Sequence, residues 1–339
     1  MTVWLEADLA ESFQRDIDNV ATSLIGLYSL KFQQKIDHLS SPLMRWLDFR
    51  FRYVDPFPRE VVYSNKFPKK ELNVEALAAL QRLANSISAG EDINPYQGRG
   101  LKLRNDISGE RKDARTDLLW ADWGIHHFHL SNEPVPSDQY FSKPADYLAF
   151  CLVGGNVVAF IDVLPHPDKE GFANPGLIET VFENWPDHME QFRLKGILPD
   201  SSKNQQEIHA LRSNGVNASL NFEGSAYMSP GLGVSSASTP TKIIIAHDRL
   251  RAHIRDLAGL VFDVTGQFRT PEINALETSP CFSVAPTANG LAIYEENTKQ
   301  AFVLPEVEVG KPATILQLIH DLVLPRWARQ SLVASSENG

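Results

Sequence analysis

The sequence predicts a mixed α+β protein with a helical N-terminal region, a central antiparallel sheet unit with a packed helix, and a C-terminal α/β region. Three observations carry this. Phe13, Ile17, Val20, Leu24 and Leu27 recur at helical spacing. Tyr147 to Leu164 reads as apolar strands around a Gly154-Gly155 turn. Further hairpin signals sit at Glu223-Gly224 and Asn289-Gly290. On this reading the 339 residues divide into 1–95, mainly helical; 96–200, the central α+β unit; 201–332, the C-terminal α/β region; and 333–339, a polar tail.

In chain order, the first helix needs a partner for its stripe, and Val74 to Ser88 supplies one, carrying Leu77, Leu80 and Leu83 behind an Asn73 cap. Between them, Phe49 and Phe51 alternate with Arg50 and Arg52, which predicts short strands within Trp46 to Tyr63. Asp92 to Asp113, rich in Gly, Asn, Asp and charge, reads as a loop. Trp123 to Leu130 is then a strand, the hairpin follows, and Leu177 to Trp185 is a helix. A polar break at Asp200 to Gln206 precedes a strand pair within Val216 to Met228 and a helix from about Pro240 to Leu257, capped by Ser238 or Thr239. Cys281 to Ala285 and Leu291 to Tyr294 form another hairpin, with a strand at Ala301 to Leu304. The last helix begins near Pro312 and carries Ile315, Leu318, Ile319 and Leu322.

Composition narrows the function classes. A hydrophobic content of 43% supplies a large core, yet no apolar run reaches the roughly 20 residues of a membrane span. The N-terminus lacks the basic-then-apolar pattern of a secretory signal, so the expected setting is the cytoplasm. Cys151 and Cys281 read as reduced core residues. A formal charge of −10 argues against broad duplex binding, which draws on many phosphate contacts. A local basic patch is available at Arg99 to Arg115, where six cations (Arg99, Lys102, Arg104, Arg111, Lys112, Arg115) face three acids.

The most function-like feature is a histidine cluster. Four of the ten histidines fall between positions 126 and 166. Strand parity puts Ile125, His127 and His129 on one face and His126, Phe128 and Leu130 on the other. Phe128 and Leu130 mark the core side, so His127 and His129 are available to a site while His126 is shielded. A two-residue turn at Gly154-Gly155 would set Tyr147 opposite Asp162 and bring Lys143 near His166. A cation and an imidazole at one mouth of a sheet suit a phosphate, and Asp162 suits the orientation of a histidine.

At these residues the chain resembles the RelE and HigB type of bacterial ribonuclease toxin. The run from Tyr147 to His166 is similar to their late hairpin, in which a strand ends close to a functional histidine, and the His-rich strand stands as its neighbour; the similarity is limited to residues 123–166. The resemblance implies RNA cleavage without a metal, by attack of the 2′-hydroxyl on the adjacent phosphate. It assigns proton transfer to His166 with His127 or His129, and stabilisation of the phosphate charge to Lys143, with Arg115 as second candidate. It also implies a toxin or phage-defence effector with RNA, and in some settings a regulatory protein, as partner.

Two other readings use the same residues. His127, His129, His166 and Asp162 are a possible divalent-metal set for a hydrolase or oxygenase, although no HExxH helix accompanies them. In a non-enzymatic binding or structural protein the histidines merely complete a core. Elsewhere, the small-residue loop Gly231 to Ser238 matches neither a dinucleotide fingerprint nor a P-loop, and none of its serines sits in a Gly-x-Ser-x-Gly elbow.

Overall fold

The computed structural model describes residues 6–67, 71–168, 170–303 and 312–337. Its elements in order are α1 (Glu6–Leu27), α2 (Pro42–Arg52), β1 (Glu60–Tyr63), α3 (Val74–Ala89), α4 (Leu118–Trp123), β2 (Ile125–His129), β3 (Tyr147–Val153), β4 (Val157–Pro165), α5 (Pro175–Asn184), α6 (Pro186–Glu190), α7 (Gln205–Ser213), β5 (Leu220–Phe222), β6 (Ser225–Tyr227), α8 (Thr241–Phe262), α9 (Pro271–Asn274), β7 (Phe282–Thr287), β8 (Gly290–Glu295), β9 (Gln300–Val303), α10 (Ile315–Val323) and α11 (Arg326–Glu337). The class is mixed α+β with a helical N-terminus. The chain forms two compact units, one from Met1–Leu47 with Ile244–Gly339 and one from Asp48–Ile243. These bounds cut the chain at other places than 95, 200 and 332, because the first unit joins segments remote in sequence.

In the first unit, α1 buries Phe13, Ile17 and Leu24 and packs on β7 and α11. Asp16 Oδ2 accepts the Val284 amide at 2.8 Å, tying the helix to the edge of the β7-β8-β9 sheet. Trp46 packs 5.8 Å from both Tyr28 and Trp327, and its indole donates to the Val323 carbonyl at 2.7 Å. Two expectations change here. The helix expected from near Pro312 begins at Ile315 behind a Thr314 cap, and a second helix runs to Glu337 where a polar tail was expected. Cys281 is exposed, outside the core. The expected strand end at Leu304 lies outside the described residues.

The second unit is built on a four-stranded sheet of order β1-β4-β3-β2, antiparallel except for β1, which runs parallel to β4. Its two faces bury different cores. On one, Phe128, Ala149, Cys151, Val158 and Phe160 meet Leu80, Leu83 and Ile87 of α3. On the other, Ile125, Leu148, Phe150 and Ile161 meet Leu177 and Val181 of α5 with Leu119 and Trp123 of α4. So α3, capped at Asn73 as expected, packs on the sheet. Trp46 to Arg52 end a helix and form no strand: Leu43, Trp46 and Leu47 hold helical spacing, and an alternation four residues long was too short to oppose it. The extended segment begins only at Glu60.

The hairpin forms, but its register differs from a two-residue turn. Val153 pairs with Val158, and Ile161 is an extra residue on β4, between Phe160 opposite Cys151 and Asp162 opposite Phe150. The longer turn shifts the pairing by two positions and this bulge by one more, so Tyr147 faces Pro165 instead of Asp162. Farther on, β5 and β6 are joined by Glu223 and Gly224 at φ 48° and 73°, the left-handed pair a tight hairpin turn requires.

Burial along α3 gives a direct test. Leu80 is 5% exposed and Leu77 57%. Leu80→Ala should lower unfolding free energy by about 2–5 kcal/mol and Leu77→Ala by no more than about 0.5, read from urea midpoints. Equal losses would mean that α3 does not pack on the sheet through this face.

Candidate functional site

The central sheet ends in a cleft of about 640 Å³ whose lining includes His127, His129 and His166. Parity places the first two as expected, on the face opposite Phe128, but that face is covered as well: Ile125 beside them is fully buried. Cross-strand pairing sets His127 beside Phe150 and His129 beside Leu148, while the His166 amide bonds the Asp146 carbonyl at 2.6 Å. The His129 and His166 rings lie 5.5 Å apart. Phe172, on a short turn before α5, packs 5.1 Å from His127 and 6.2 Å from His166, closing the group from the side.

Each imidazole is fixed by a different contact. Asp117 is the N-cap of α4, its Oδ1 accepting from the Leu119 and Trp120 amides, and its Oδ2 lies 3.3 Å from His127 Nδ1. That distance suits an ion pair, although the atoms are not aligned for a hydrogen bond, so His127 Nδ1 is not bonded among the described residues. His129 Nδ1 accepts the Ala145 amide at 3.3 Å, which leaves the proton of its neutral form on Nε2. The exposed His166 has Nδ1 3.0 Å from the Pro167 carbonyl, which makes Nδ1 the donor and leaves Nε2 free.

Burial sets the protonation of the two inner rings. Desolvation holds His127 below the usual imidazole value against the opposing pull of Asp117. It brings His129 down to about 4, helped by the neighbouring His127 and His166. His126 faces away, between the Trp120 and Phe128 rings, and burial with the nearby Lys242 takes it to about 3. It is a core residue, as parity required.

Two arginines anchor the walls. Arg52 pairs with Asp48 and donates to the Gly100 carbonyl at 3.3 Å, fixing the loop at one side of the cleft. Arg212 of α7 bonds Asp122 at 2.7 Å and the Phe172 carbonyl at 2.9 Å while stacking on Trp123, which sets the position of Phe172.

Three expected site residues are not in the cleft. Lys143 is exposed and paired with Glu133, because the shifted register puts Asp146 opposite His166. Arg115 is 5% exposed and donates to the carbonyls of Gly109 and Ala237, a structural role. Asp162 accepts the Val163 amide at the bulge. Among the described residues no three His, Cys, Asp or Glu side chains are disposed to hold one metal ion, so the set His127, His129, His166 and Asp162 does not assemble. Conversely, Asp117 was overlooked, though an Asp directly before an apolar run is a legible cap signal. Phe172 carried no such signal. No protein-family model, curated protein or solved structure matches the chain.

Two outcomes check this electrostatic picture. Asp117→Asn keeps a good cap and removes the charge, so the unfolding midpoint should hold while the His127 pKa falls further in an NMR titration. An unmoved pKa would detach Asp117 from His127. Second, between the usual 6.5 and the folded values of about 4 for His129 and 3 for His126, the unfolded chain binds more protons. Stability should therefore drop on acidification through that window, by up to about 1.4 kcal/mol per pH unit for each histidine. His126→Phe should make the decline shallower in denaturant melts at stepped pH, and an unchanged slope would contradict the assignment.

Proposed function

We propose that the cleft of the Asp48–Ile243 unit cleaves RNA phosphodiesters by histidine acid–base catalysis. The observation that carries the reading is the convergence of His127, His129 and His166 on one cleft, with a carboxylate behind the first. A neutral imidazole with a carboxylate 3.3 Å from one nitrogen presents the other as a base. His127 Nε2 takes the proton of the 2′-hydroxyl, the 2′-oxygen bonds to phosphorus, and the bond from phosphorus to the 5′-oxygen breaks. His166, the exposed member of the three, protonates the departing 5′-oxygen and is recharged from water. His129 donates its Nε2 proton to a non-bridging oxygen as charge gathers there. The products are a 2′,3′-cyclic phosphate and a 5′-hydroxyl.

The resemblance of the hairpin to RelE and HigB type toxins supports the substrate, and an RNA substrate agrees with a cytoplasmic toxin or phage-defence effector under a protein regulator. Among the described residues no helix is long and apolar enough to cross a membrane.

With purified protein and single-stranded RNA, His127→Ala and His166→Ala should each lose about 10²–10⁴-fold in cleavage rate with the thermal midpoint retained. Lys143→Ala should cleave at the wild-type rate. Wild-type cleavage in both histidine variants would sink the proposal.

A further inference from the structure

The stretch Arg99 to Arg115 holds six cations, and the structure separates them by what each already binds. The Lys102 ammonium sits 3.9 Å over the Tyr140 ring. Arg111 pairs with Asp113 at 2.9 Å, Lys112 donates to the Ser236 carbonyl at 3.0 Å, and Arg115 is committed to two carbonyls. Arg99 and Arg104 are left: both are exposed, both line the cleft, and neither side chain has a partner among the described residues. The acids that line the cleft with them do not cancel them, since Asp113 is paired with Arg111 and Asp117 caps α4 beside His127.

The backbone connects these two arginines to the histidines. Gln97 bridges Phe128 on β2, and Gly98 comes so close that a Cβ there would lie 3.4 Å from His127 Nε2. Arg99 is the next residue. A one-turn helix at Arg99–Leu101, the bond from the Leu103 amide to the Arg99 carbonyl at 2.8 Å and the tether from Arg52 to Gly100 then hold Arg104 on the same loop. In a chain of net charge −10, two unpaired cations beside the base are a local anion site.

Resting on the RNA-cleaving reading, we infer that Arg99 and Arg104 hold backbone phosphates flanking the scissile one, so that the substrate is single-stranded RNA cut internally. The His127 side chain is only 16% exposed. A phosphate and its 2′-hydroxyl reach it only if the nucleotide leaves the stack, which a loop or single strand permits at small cost and an A-form duplex resists. The flanking phosphates then remain at the rim, where the two arginines stand.

The test uses a fluorescent single-stranded 2′-O-methyl RNA, whose blocked hydroxyl prevents cleavage, in anisotropy titrations over a range of potassium chloride. Removing one phosphate-binding cation should flatten the plot of log K against log salt by about 0.7, so Arg99→Ala and Arg104→Ala should each show that change and the double variant about 1.4. Lys143→Ala, already paired with Glu133, should keep the wild-type slope. Annealing the complementary strand should weaken wild-type binding. Slopes unchanged in both arginine variants, a duplex bound as tightly as the single strand, or no wild-type binding would each overturn the inference. Cleavage of unmodified RNA is scored separately by gel. Wild-type cleavage with unchanged slopes defeats this inference alone, whereas the expected slopes without cleavage uphold the two arginine–phosphate pairings and defeat the catalytic reading.

Discussion

The register of β3 against its two neighbours is the constraint on which the cleft depends. A strand shifted by one residue turns every side chain to the other face, and the extra residue at Ile161 switches the parity of β4 so that its faces still match those of β3: Val158 and Phe160 face α3 before it and Val163 after it. Phe150 and Ile161 enter the same core, Val163 returns to the α3 face, and the strand reaches His166 next to Asp146. His129 on β2 and His166 beyond β4 come together across β3 for this reason, with Leu148 and Leu164 paired in the row beside them.

The same register marks how far the sequence could be read. The stripe of α1, the Asn73 cap and the Glu223-Gly224 turn are local signals, set by residues within one or two turns of each other, and each appears where its chemistry demands. The parity of His126 against His127 and His129 is local too. Pairing is not. Gly154-Gly155 announces a turn without fixing its length, and nothing in the apolar run from Val157 to Val163 marks Ile161 as surplus. The error of three positions, from Tyr147 opposite Asp162 to Tyr147 opposite Pro165, arose there and displaced Lys143 from the site. A second kind of miss came from burial on both faces. Reading Phe128 as the core side implied an open face for His127, whereas α4 and α5 cover it and Ile125 is fully buried. Arg115 failed for a related reason, since charge alone does not reveal which cations are consumed by carbonyls.

Asp117 joins the local fold to the chemistry. Its two carboxylate oxygens are divided, one ending the unpaired amides of α4 and the other turned to His127. A cap holds a side chain in one rotamer because the helix amides lie in fixed directions. The carboxylate beside His127 is therefore positioned by secondary structure. Arg52 and Arg212 act alike on the walls: each is a buried cation with a carboxylate partner, and each spends a remaining donor on a loop carbonyl, at Gly100 and at Phe172. Removing either carboxylate would strand a buried charge, so these loops are tied to the same ion pairs that stabilise the unit.

Exposure also separates the three histidines of the cleft. Acid–base cleavage needs one neutral and one protonated imidazole at the same pH. Burial has taken His127 and His129 toward the neutral form, His129 as far as about 4, and a ring that releases its proton so readily from a desolvated position is a poor store of one at neutral pH. In the proposed reaction neither would start the cycle charged. His166 stands 5.5 Å from His129 yet reaches solvent. The asymmetry follows from the sheet itself. β2 lies within the covered part of the sheet while the chain beyond β4 carries His166 out of it, so three chemically identical side chains stand at different depths in one cleft.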